Sequence, residues 1–208
     1  MKPFTPLSLG LLVSLFISAS VLADTADLAW EVATQKQGIS VFTRATASGY
    51  KEIKASMTIN AHPMDFVNLL ENIALAPQWI ANCRKVELLE KRGNFERVVK
   101  STFSAPWPVQ DREMVTYSFT SIDPNNGKIT IDISDMSQRY PDDKDDDNVR
   151  MLNVSGQWKL LKLENGLTTL SYQGYGEPAG NLPIWLSNQL VVSSVYTTFN
   201  NLREILQK

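Results

Sequence analysis

Residues 182–206 read LPIWLSNQLVVSSVYTTFNNLREIL, and this stretch decides the architecture. Leu182, Trp185, Leu186, Val192, Val195, Phe199, Leu202 and Leu206 recur at the spacing of one helical face. Ser187, Asn188, Ser193, Asn200 and Glu204 fall largely on the opposite side. About 25 helical residues are roughly 37 Å long at 1.5 Å each, and a ten-residue strand reaches about 33 Å. One C-terminal helix can therefore cross a whole sheet.

The residues before it supply that sheet. Strands are predicted at 84–91, 95–103, 113–122, 128–134, 149–163 and 168–176. The turns Arg92-Gly93-Asn94, residues 123–127 and Asn165-Gly166 carry hairpin chemistry, so successive strands form an antiparallel meander. Upstream, 39–44 and 50–59 read as strands joined around Ser48-Gly49. In the second, Ile53, Ala55, Met57 and Ile59 alternate with Glu52, Lys54, Ser56 and Thr58, so one face is buried and the other wet. Pro63 opens a helix through Ile73, followed by a turn carrying Pro77 and Trp79. Leu28, Ala29, Val32 and Ala33 predict another helix over 27–36, ended by Gly38. No repeat or Pro- or Gly/Ser-rich linker divides the chain. The pattern is one α+β domain in which a sheet grips a long helix.

The N-terminus is a targeting signal by composition. Lys2 is positive, residues 7–17 are apolar, and Val21-Leu22-Ala23 ends in small residues, so cleavage is expected after Ala23. The apolar run is too short to span a bilayer comfortably and no second one follows. A domain over 24–208, periplasmic or secreted, is expected. Formal net charge is -2; the mature chain loses Lys2 and becomes slightly more acidic, which excludes the basic face of a nucleic-acid binder.

The inventory for chemistry is thin. Cys83 is the one cysteine, so no intramolecular disulfide can form, and it reads as a small core residue. His62 is the one histidine and stands before Pro63, where a helix cap is expected. One His and one Cys cannot build a zinc site, and neither HExxH nor GxSxG occurs. The acidic run 142–147 lacks the spacing of a calcium loop and reads as solvated. Asp111-Arg112-Glu113 is either an ion-paired start to a strand or a charge cluster aimed into a cavity. No catalytic residue, metal or cofactor is expected.

Five segments then carry a resemblance. Residues 106–115, PWPVQDREMV, resemble the "P-x-P…RD-[FY]-V" strand of StAR-related lipid-transfer (START) domains. Residues 175–188, YGEPAGNLPIWLSN, are similar to that family's "D-P-G-G-x-[IL]-P-x-W-L-x-N" junction into its lid helix, with Ala179 replacing a Gly. Val149-Arg150 through Trp158 resembles its "V-R…W" strand. GISVFTR at 38–44 resembles its "G-I-x-[VI]-Y-x-R" strand, and Gln78-Trp79 its "Q-W" pair. The segments keep the family's order over nearly the whole mature chain.

The resemblance implies a helix-grip fold, a curved antiparallel sheet with the C-terminal helix closing an internal cavity. It also implies a hydrophobic ligand such as a sterol, phospholipid or ceramide, and a gate that includes this helix and the loop at 135–147. Ala76 stands where phosphatidylcholine-binding members carry an arginine for the phosphate, which implies binding that does not depend on phosphocholine. The expected ligand-binding residues are Trp79, Trp107, Arg112, Met114, Trp185, Leu186, Val192, Val195 and Phe199. Trp30 and Trp158 are expected to be core. The expected function is a monomeric, non-enzymatic carrier or sensor of a lipid-like molecule, with transient membrane contact. The rivals are a cyclase/aromatase-like enzyme in the same cavity and an envelope accessory protein with no ligand.

Overall fold

The computed structural model describes Met1 and residues 29–141 and 147–207. The predicted signal, and most of the acidic run, lie outside the described residues. Ten strands form one sheet: β1 (Glu31–Lys36), β2 (Ile39–Arg44), β3 (Glu52–Ile59), β4 (Cys83–Arg92), β5 (Glu96–Phe103), β6 (Arg112–Ile122), β7 (Ile129–Asp135), β8 (Val149–Arg150), β9 (Leu152–Lys162) and β10 (Thr168–Glu177). Their order is β1-β2-β3-β10-β9-β7-β6-β5-β4, with β8 beside β6. Among the described residues the sheet is joined by three helices, α1 (Pro63–Glu71), α2 (Ala76–Trp79) and α3 (Ile184–Leu206), with a 3₁₀ turn at Ile73–Leu75.

Alternation in β3 places Ile53, Ala55, Met57 and Ile59 inside, as its sequence dictates. Register shifts in the β1–β2, β4–β5 and β9–β10 pairs bend the sheet where an extra residue enters a strand. The curved antiparallel sheet holds α3 across its inner face, where Phe199 and Leu202 are fully buried. An aromatic cluster ties helices to sheet. Trp158 stacks on Phe199 at 5.6 Å between centroids and lies 4.8 Å from Phe66 of α1. Truncating Phe199 to Ala in such a cluster costs about 3–5 kcal/mol.

Four expectations are corrected. Residues 31–36 are a strand and not a helix. Gln37 and Gly38 both take positive φ (52° and 71°), which makes a two-residue hairpin turn, so Gly38 closes a hairpin and caps no helix. Val32 is exposed on this edge strand, so the apolar spacing around it marks no buried face. The strand expected over 149–163 is broken at Met151. β8 pairs with β6 in parallel, and Asn153 takes φ 53° as β9 begins. The expected turn around Pro77 is helical, formed by the 3₁₀ turn and α2. Trp30 lies outside the core, its ring 4.8 Å from the Arg44 guanidinium.

Candidate functional site

A cavity of about 640 Å³ lies between the inner face of the sheet and α3. Period two fixes what faces it. Positions 97, 99, 101 and 103 of β5 point inward beside 112, 114, 116 and 118 of β6. β9 contributes Val154 and Trp158, and β10 contributes Tyr172, Gly174 and Gly176. The lining is apolar in the main, and among the described residues it holds no Asp, Glu, His or Cys.

Two guanidiniums sit at opposite ends of the β5–β6 ladder. Arg97 lies across from Ser118 and Arg112 across from Phe103, a separation of six residues or roughly 20 Å along the strand. Arg97 donates to the Leu70 carbonyl at 2.8 Å and the Ser118 hydroxyl at 3.4 Å, with Glu71 at 3.3 Å. Burial pushes its pKa down, against the pull of Glu71. Arg112 donates to the carbonyls of Pro178 (3.1 Å), Ala179 (3.2 Å) and Gln110. It thereby fastens β6 to the junction before α3. Burial lowers its pKa too, while Tyr50 and Asp111 oppose that shift.

The residues flanking Arg112 point elsewhere. Asp111 pairs with Arg84 and accepts from the Ala105 amide at 3.0 Å. Glu113, on the other face of β6, is buried against Arg150 at 2.5 Å. The triplet therefore divides: the two carboxylates fix the start of the strand and the guanidinium enters the cavity wall. His62 accepts from the Met64 amide at 3.2 Å and caps α1. Cys83 is buried and reduced, its thiol pKa raised by burial.

The junction keeps a left-handed bend despite its alanine: Ala179 and Gly180 have φ 54° and 60°. A Cβ on Gly180 would meet Val149 at 3.2 Å, so the turn packs directly on β8. α3 then leaves the junction, and its polar side chains fasten it to neighbouring loops. Thr198 accepts from the Ala81 amide at 3.0 Å, and Asn82 donates to Ser194 at 3.0 Å.

Of the nine expected ligand-binding residues, Trp79, Arg112, Met114, Val195 and Phe199 border the cavity. Val192 packs into the core beside it, and half-buried Leu186 is not part of the wall. Trp107 and Trp185 are 93% and 68% exposed and face away from it. Conversely, Ser187 and Asn188, expected outside, border the cavity. The described part of the expected gate loop is tied to the sheet: Met136 bonds the Val115 carbonyl at 2.9 Å, and the Tyr140 carbonyl accepts from Arg150 at 2.7 Å. None of its described residues lines the cavity. Sequence reading missed Arg97, Ser118 and Tyr172. The available signal was their inward register on β5, β6 and β10.

A START domain family model matches residues 22–208. An uncharacterized protein of Pseudomonas aeruginosa is 28% identical over 180 residues, covering 86% of this chain and 87% of its own. The crystal structure of the STAR-related lipid transfer protein from Xanthomonas axonopodis is 28% identical, with 86% of this chain and 99% of that chain covered and a TM-score of 0.77. Human StAR-related lipid transfer protein 5 is 16% identical over 88% of each chain, with a TM-score of 0.76, and shares the fold.

Proposed function

The chain belongs to the START domain family, and on that premise we propose that it binds a hydrophobic, lipid-like molecule between its sheet and α3 and carries or senses it without chemical change. The observation that supports this most is the 640 Å³ cavity, whose wall is largely apolar. Moving about 300 Å² of apolar ligand surface out of water contributes about 7 kcal/mol at 25 cal/mol per Å², before the cost of ordering. Among the described residues the titratable side chains of the wall are Tyr, Lys and Arg, set in a largely apolar lining that suits holding a ligand. Ala76 lines the cavity where an arginine would meet a phosphate, so the ligand is held without a phosphocholine contact. Organic extraction of the purified protein followed by mass spectrometry tests the proposal.

Exchange with a membrane completes the reading. Trp107 and Trp185 are exposed on segments that border the cavity at Pro106 and Ser187. Amphipathic indole rings favour the interface between water and lipid. These two therefore rest the monomer transiently on a bilayer while a ligand passes. The chain acts in the periplasm or outside the cell, a proposal supported by the pattern of its first 23 residues. Terminal sequencing of protein from the envelope should begin near Asp24; an intact Met1 terminus would refute export with cleavage.

A further inference from the structure

Tyr172 places its hydroxyl on the sheet side of the cavity. Tyr172 lies opposite Trp158 in the β9–β10 ladder, with ring centroids 4.6 Å apart, and the next inward pair is Gly174 opposite Gly156. The two glycines make room for the phenol. A Cβ on Gly174 would come within 2.2 Å of the Tyr172 oxygen, and one on Gly156 within 3.0 Å. The ring therefore lies down along the sheet, with its oxygen over bare backbone.

Among the described residues, nothing hydrogen-bonds to that oxygen. Burial alone pushes the hydroxyl pKa up to about 12, yet the ring keeps accessible surface. Both hold because the surface it exposes belongs to the cavity and not to bulk water. The group stays protonated at physiological pH and offers a hydrogen. Buried polar groups in native proteins are paired, so an unpaired donor beside a cavity points to an acceptor that arrives with a ligand.

The position also limits what that acceptor is. β10 lies three strand spacings from β6, about 14 Å across the sheet, and Tyr172 is level with Thr120 of β6, eight residues along the strand from Arg112. Of the cations in the wall, Arg97 and Arg112 already donate to main-chain carbonyls and Lys51 to the Thr43 hydroxyl at 3.5 Å. No neighbouring charge acts on Tyr172. An ionised ligand group would therefore be desolvated there without a counter-charge, which disfavours it.

Resting on the reading that the cavity holds an apolar ligand, we propose that Tyr172 is its polar anchor. Its hydroxyl donates to an uncharged oxygen, a hydroxyl or carbonyl, on an otherwise apolar molecule. The test uses delipidated protein incubated with phosphatidylcholine vesicles that carry hexadecanol with hexadecane, or cholesterol with cholestane. Protein is re-isolated and its bound molecules are quantified. Tyr172→Phe keeps the ring and removes the hydroxyl alone. In at least one pair, the ratio of alcohol to hydrocarbon bound should be about tenfold higher on the wild type than on Tyr172→Phe, the worth of one neutral hydrogen bond. Hydrocarbon uptake should match between the two proteins. Ratios that are the same on both proteins in both pairs overturn the anchor and leave the cavity reading standing. Uptake of none of the four molecules overturns both.

Discussion

Asn188 of α3 accepts the main-chain amide of Lys51 at 2.9 Å and donates to the Gly49 carbonyl at 3.0 Å. One side chain thus fastens the first turns of α3 to the β2–β3 loop, at the rim of the cavity. Ile184 reinforces the latch, since a Cβ on Gly49 would touch it at 3.5 Å. Moving α3 away from the sheet at this end requires both hydrogen bonds to break.

Asn188→Ala removes both bonds and leaves two main-chain groups to water. Stability should fall by about 1–2 kcal/mol, the net worth of two neutral hydrogen bonds. Transfer of a fluorescent lipid between vesicles should quicken, because opening becomes easier. A variant with unchanged transfer would place the moving element elsewhere.

The buried face of α3 predicts an asymmetric response to charge. Val195 borders the cavity, while Ser193 is exposed and donates to the Leu190 carbonyl at 2.9 Å. Val195→Asp puts an unpaired carboxylate against apolar surface, which costs several kcal/mol unless it takes up a proton. Ligand retention should be lost with it. Ser193→Asp should change stability by under about 0.5 kcal/mol. Near-UV circular dichroism separates loss of ligand from loss of fold. Equal behaviour of the two variants would contradict this helix orientation.

The exposed tryptophans predict a separable membrane defect. Trp107→Ala combined with Trp185→Ala removes little buried surface, so the melting temperature should hold within about 2 °C. Flotation with phosphatidylcholine vesicles should drop several-fold. Undiminished flotation would mean that another surface meets the bilayer.

Acid should loosen the far end of β7. Asp135 accepts from the Ser137 amide at 2.7 Å and the Val154 amide at 3.2 Å. Burial raises its pKa, but the Ser137 hydroxyl together with the amides of Ser137, Val154 and Asn153 outweighs that and holds it below the ordinary 3.8. A carboxyl with a depressed folded pKa contributes stability above its unfolded pKa and loses it as pH falls through the folded value. The melting temperature of the wild type should therefore decline below about pH 4. Asp135→Asn should start lower at pH 7 and decline less steeply. Parallel acid profiles for the two proteins would exclude this role.

Much of this was legible in residue order, for reasons that also mark its limits. The alternation in β3 and the long apolar stripe of α3 each answer to one period, so strand and helix followed directly. Residues 31–36 misled because apolar side chains over 28–33 happened to fall at helical spacing, while Val32 and Ala33 stand exposed on an edge strand. The cavity wall was harder to read. Polar residues on a helix usually face solvent, yet Ser187, Asn188 and Thr198 turn toward the rim or the loops, where main-chain groups require partners. Trp107 and Trp185 were expected at the ligand, and their exposure places them on the outer surface. Tyr172 was overlooked because its role depends on Gly156, a residue from the neighbouring strand.

The most direct test of the account is what the protein carries. Wild-type protein, purified without detergent and extracted in organic solvent, should release a hydrophobic molecule in near-stoichiometric amount by mass spectrometry. Folded Val195→Asp prepared in parallel should release little. A wild-type extract with no lipid-like molecule, from protein that also takes none up from vesicles, would contradict the central claim.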